Sequence, residues 1–120
     1  MIDPARLRAF MHGFYGYGCY DAKYWFIGQE EGGASSVSAL AARVDAWHER
    51  GAREIEDLQA FHAELRSTRW FGAKAKRQAT WARLIQIVLM AEGRPCTNLD
   101  VLRYQSSDLG RPNGETSSRK

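Results

Sequence analysis

Cysteine is scarce in this 120-residue chain, which holds only Cys19 and Cys96. They are far apart, and neither belongs to a CxxC or to a Cys/His cluster, so a disulfide framework and a zinc site are both excluded as organising principles. Two reduced structural thiols are expected. Long apolar runs are also missing. The longest, Leu84 to Ala91, is interrupted by Gln86 and falls well short of the roughly 20 residues that cross a bilayer. The N-terminus, Met1-Ile2-Asp3-Pro4-Ala5-Arg6, carries no basic segment followed by an apolar core and a small-residue cleavage site. A cytoplasmic protein with no membrane contact is the expectation. His12, His48 and His62 are scattered, without the spacing of a metal site or a triad. Neither a Walker loop nor a dinucleotide fingerprint occurs, and the residues call for no metal and no cofactor.

Acid is absent from one stretch. Arg66 to Arg83 contains Arg66, Arg69, Lys74, Lys76, Arg77 and Arg83 and no carboxylate, whereas Asp45 to Glu64 carries six acids against Arg50 and Arg53. Net charge is only +3, so the segregation, not the total, offers a polyanion a surface. Trp70, Phe71 and Trp81 lie among these cations, where they could stack bases beside Arg69, Lys74, Lys76 and Arg77. The same residues also read as a solvated helix connection anchored by Trp81.

Hydrophobic residues at 44% with 26% charged place the body among globular chains rather than disordered ones. Asp3 or Pro4 starts a helix with Leu7, Phe10, Met11 and Phe14 on one face. Gly13, Gly16 and Gly18, interleaved with Phe14, Tyr15, Tyr17 and Tyr20, read as a rigid aromatic loop. Lys23 to Gly28 is aromatic and β-branched, so it reads as a parallel-type strand buried on both faces. Ser35 or Ser36 then caps a helix with Val37, Leu40, Val44 and Trp47, ended by Gly51. Ile55, Leu58, Phe61 and Leu65 mark a third helix. Trp81, Leu84, Ile85, Val88 and Leu89 mark a fourth, stopped by Gly93 and Pro95. Thr97 with Asp100 resembles the capping box of a fifth, carrying Val101, Leu102 and Tyr104. The organisation is thus an α/β domain over residues 1–105, with one parallel-type strand and about five helices, and a flexible polar tail over 106–120. One strand cannot satisfy its own backbone groups, so its partners are expected beyond residue 120, as in the N-terminal portion of an incomplete three-layer α/β/α domain.

Where a buried strand turns into a helix, backbone N–H groups face outward and α/β proteins place ligands. Gln29-Glu30-Glu31-Gly32-Gly33 occupies that position. Its two carboxylates disfavour phosphate. A neutral planar ligand, a cation or an activated water fits better, with Glu30 or Glu31 able to take a proton from water. Tyr15, Tyr17 and Tyr20 could wall a pocket beneath it. Read without a ligand, the glutamates favour the helix N-terminus, the glycines turn the chain and the tyrosines pack the core.

The runs Phe14-Tyr15-Gly16-Tyr17-Gly18 and Tyr24 to Gly33 resemble the opening of a bacterial group similar to the uracil-DNA glycosylase superfamily. Gln78-Ala79-Thr80-Trp81, Leu84-Ile85, Tyr104-Gln105, Leu109-Gly110-Arg111 and Gly114-Glu115-Thr116 extend the resemblance over most of the chain. It implies a parallel sheet in a three-layer fold, DNA as partner, and a first motif in which amides contact a flipped base while an acidic or amide side chain positions the attacking water. On that pattern Glu30 positions the water, and Gly28, Gln29, Glu31, Gly32 and Tyr17 surround the base. Glu31 and Gly32 stand where the motif usually continues with proline and an aromatic. The superfamily's later Asn-bearing strand and His-bearing loop have no counterpart in the 120 residues, so the chain reads as truncated. The resulting expectation is a nucleobase-recognising protein acting on DNA by N-glycosidic hydrolysis. The alternatives are a non-catalytic nucleic-acid-binding or interaction domain using Arg66–Arg83, and an inactive fragment.

Overall fold

The computed structural model describes residues 2–27, 36–66 and 69–119. Among these residues, five helices and a four-stranded mixed sheet form a small α/β domain. In chain order the elements are α1 (Pro4–Gly13), β1 (Gly16–Tyr17), β2 (Tyr24–Ile27), α2 (Val37–Glu49), β3 (Ile55–Glu56), α3 (Leu58–Glu64), α4 (Ala79–Ala91), α5 (Asn98–Ser107) and β4 (Thr116–Arg119).

Each helix starts where a polar side chain takes up an unpaired backbone donor. The Asp3 carboxylate accepts from Ala5 N at 2.9 Å, with Pro4 supplying the first helical residue of α1. Ser36 caps α2 by accepting from Ala39 N. Asp57 caps α3, Gln78 caps α4 through Trp81 N, and Thr97 with Asp100 forms the reciprocal capping box of α5. The Asp100 carboxyl is held below its ordinary pKa by that bond to the Thr97 hydroxyl.

The sheet order is β2-β4-β1-β3. β2 runs parallel to β4, β4 antiparallel to β1, and β1 parallel to β3. This corrects three expectations from the sequence. First, a strand that pairs with β2, namely β4, lies within residues 1–120. Second, the supposed tail of 106–120 contains the end of α5 and the interior strand β4, whose Thr116 and Ser117 are buried. Apolar alternation misses such a strand because its burial is made tolerable by hydrogen bonding instead: the Ser117 hydroxyl donates to Cys19 O and accepts from Cys19 N at 2.8 Å. Third, β2 is an edge strand with one face inward. Tyr24 and Phe26 pack on the core while Ile27 remains 77% exposed. The third helix also begins later than expected, because Ile55 belongs to β3 and Asp57 is the cap.

Two glycines permit the closest approaches. Gly18, at φ +112°, follows β1 where a Cβ would lie 2.3 Å from Ser117 Oγ and 2.7 Å from Thr116 O. Gly110, at φ +62°, would set a Cβ 2.7 Å from Leu58 Cβ, and its carbonyl accepts Leu58 N at the start of α3. Both backbone conformations favour glycine.

One apolar core joins these elements. Phe10 and Phe14 of the α1 region stack at 5.1 Å, Trp47 meets Phe10 edge-on, and Phe61 of α3 stacks on Phe14. Ile85, Val88 and Leu89 of α4 join Val101 and Tyr104 of α5. At the other sheet edge, Glu56 of β3 is nearly inaccessible and binds Arg50 through two bonds of 2.9 and 3.0 Å. Such pairing is what allows a carboxylate to sit in the interior.

Candidate functional site

β2 is fixed at both ends of its register. At its start, the Glu92 carboxylate just past α4 accepts from Lys23 Nζ at 2.7 Å and from the Tyr24 hydroxyl at 2.9 Å. These bonds hold the Glu92 carboxyl below its ordinary pKa, the Lys23 contact contributing most, and raise those of Lys23 and Tyr24. Along its length β2 is paired from Tyr24 with Thr116 to Ile27 with Arg119. Beyond Ile27 the chain proceeds to the Ser36 cap of α2, giving the strand, connection and helix arrangement read from the sequence. Gly28, Gln29, Glu30, Glu31 and Gly32, the residues expected to act there, lie outside the described residues.

Alternation along the strand then determines what flanks that end. Tyr24 and Phe26 face the core, whereas Trp25 and Ile27 join Tyr15 and Tyr20 in lining a depression of about 290 Å³. The Tyr20 and Trp25 rings lie nearly parallel, with centroids 6.2 Å apart and planes at 27°. The Tyr20 hydroxyl donates to Glu54 Oε2, and Tyr15 N donates to Glu54 O. These contacts hold two of the four walls to the residue preceding β3. Aromatic faces with few charges suit a flat apolar ligand.

Tyr17 does not belong to this depression. It is 4% exposed and packs among Phe14, Phe61 and His62, so its expected base contact gives way to a core role. Tyr15 and Tyr20 do line the depression. Trp25 and Ile27 were legible only as strand residues, and the signal for their second role was an aromatic segment alternating on a single exposed edge.

The basic stretch lies elsewhere. Arg66, Arg69, Lys74, Lys76, Arg77 and Arg83 are all exposed. Among the described residues the ion pairs are Arg6–Asp45, Lys23–Glu92, Arg50–Glu56, Arg94–Glu115 and Arg111–Asp57, none of which uses these six cations. The loop before α4 is closed by Lys76 N donating to Arg69 O at 2.9 Å. Gln105 of α5, 1% exposed, pins it: Nε2 donates to Trp70 O and Lys76 O at 2.8 and 2.7 Å, and Oε1 accepts from Gln78 N. Nothing in the sequence pattern marked Gln105 for this role.

Among the described residues no three His, Cys, Asp or Glu side chains are grouped to hold a metal ion, and no helix is long and apolar enough to cross a membrane. His62 is a core residue, its Nδ1 2.8 Å from Leu58 O and its ring against Tyr17, Phe71 and Trp81. Comparison with family models, curated proteins and solved structures yielded no match.

Proposed function

We propose that this protein recognises a nucleobase at the C-terminal end of β2 and hydrolyses its N-glycosidic bond in DNA. The observation that carries the reading is the aromatic depression of Tyr15, Tyr20, Trp25 and Ile27 along the outer face of β2, up to its last residue. A base removed from its stack regains much of the lost contact on aromatic faces. Glu30 belongs to the connection that leaves this strand, and its role is to hold the attacking water and take its proton. The water oxygen bonds to the sugar C1′ as the bond from C1′ to the base nitrogen breaks, and the base departs with that bonding pair.

The test is base release from 5′-labelled DNA oligonucleotides, each carrying one uracil or one hypoxanthine, read as alkali-labile abasic sites. Glu30→Gln is expected to lower kcat by about 100-fold or more, and Trp25→Ala to raise KM with a smaller effect on kcat. Base release unchanged by Glu30→Gln removes the assignment of that residue. No release from either substrate, together with no quenching of tryptophan fluorescence by free bases that Trp25→Ala abolishes, removes the function.

A further inference from the structure

The acid-free stretch plays no part in the depression at β2, and its structure goes beyond what charge alone implies. Three bonds from the buried Gln105 and the Lys76–Arg69 closure fix the backbone of residues 69–78. The underside of this loop is aromatic: Phe71 and Trp70 approach Trp81 at 5.9 and 6.1 Å between centroids, and Trp81 and Phe71 both contact His62. Its outer side displays Arg69, Lys74, Lys76 and Arg77, without carboxylate partners among the described residues. Leaving several like charges together on a pinned segment raises self-repulsion that folding does not require.

The Arg69 guanidinium lies over the Trp70 ring, 4.2 Å from its centroid. A guanidinium held over an indole presents a flat, weakly hydrated second face, on which a further planar group can stack. Ammonium groups at Lys74 and Lys76 and the guanidinium at Arg77 are suited to phosphates. We propose that the loop of residues 69–77 is a binding surface for single-stranded nucleic acid, with an unstacked base on Arg69 and the backbone phosphates on Lys74, Lys76 and Arg77. A duplex keeps its bases stacked and offers the guanidinium no free face, so the single strand is the preferred partner.

Fluorescence anisotropy with a labelled 20-nucleotide oligo-dT tests this, with a duplex of equal length and inorganic polyphosphate as competitors. Three phosphate contacts correspond to a loss of roughly 20-fold in affinity between 50 and 200 mM salt. Lys74→Glu, Lys76→Glu and Arg77→Glu combined are expected to weaken binding at least about 100-fold and to flatten the salt dependence. Their folding is verified by an unchanged urea transition. Arg69→Lys keeps the charge but removes the planar face. It is expected to weaken oligo-dT binding about fivefold or more while leaving polyphosphate affinity within about twofold. The proposal is overturned by absence of binding at 50 mM salt, by binding that survives the triple reversal, by duplex affinity equal to that of the single strand, or by equal losses for oligo-dT and polyphosphate in Arg69→Lys. These readouts are independent of base release at β2, so either proposal can fail without the other.

Discussion

β2 and β4 pair side by side along four residues, yet their sequences invert the usual relation between composition and place. β2, Tyr-Trp-Phe-Ile, is the apolar strand and lies at the sheet edge; β4, Thr-Ser-Ser-Arg, is the polar one and lies inside. A strand's place is set by which backbone edges it can satisfy, and its side chains need only be compatible with that place. β4 is compatible because its two buried hydroxyls find backbone partners: Ser117 bonds both backbone groups of Cys19, and Thr116 Oγ1 accepts from Gly110 N. β2 is tolerated at the edge because its second face forms the aromatic depression.

The sharpest way to break the comparison is to deny β4 its place. Gly18→Ala puts a Cβ within 2.3 Å of Ser117 Oγ at a backbone angle of +112°. It is expected to cost roughly 3–5 kcal/mol, read as a large fall in the urea midpoint; an unchanged midpoint would show that β4 does not pack on Gly18 in solution. Ser117→Ala takes the partner from the Cys19 N–H and leaves the Cys19 carbonyl only its bond from Ala22 N, and is expected to cost about 1–3 kcal/mol by the same measurement.

A third experiment moves to the start of β2. With its pKa lowered by Lys23 and Tyr24, the Glu92 carboxyl stabilises the fold fully above its ordinary value of 4.5, and that contribution is lost as pH falls through its depressed folded value. The wild-type Tm should therefore fall more steeply below pH 4.5 than that of Glu92→Gln, and parallel profiles would contradict the contact. The smallest effect belongs to the exposed edge. Ile27→Thr is expected to change stability by no more than about 0.5 kcal/mol while weakening any ligand held in the depression, so a larger loss of stability would place Ile27 in the core.

Much of the helical framework was legible because capping is local chemistry. Asp3-Pro4, Ser36, and Thr97 with Asp100 announced their helices within a few residues of sequence, and Gly51 and Gly93 stand just past the helix ends at positive φ. β2 was legible from its aromatic and β-branched residues. β1 and β3 were not, since two residues each carry no period, and β4 was not, since its only signal was polar. In the candidate site, Tyr15 and Tyr20 followed from the aromatic run. Tyr17 looked the same in sequence but is buried because it falls within β1. The basic loop was visible as charge, while the bonds from Gln105 that shape it join positions 27 to 35 residues apart.

The interior place of β4 also sets an order of events. Its partners, β1 and β2, lie near the other end of the chain; Cys19 and Ser117 are 98 positions apart. The helices can form and begin to collect apolar faces from contacts within neighbouring segments. The sheet cannot join β2 to β1 until residues 116–119 arrive between them. That long-range closure costs the most chain entropy and comes late. During synthesis, then, β2 must wait with both of its edges open through nearly the whole length of the chain, which makes its aromatic edge the segment most exposed to premature pairing with another molecule.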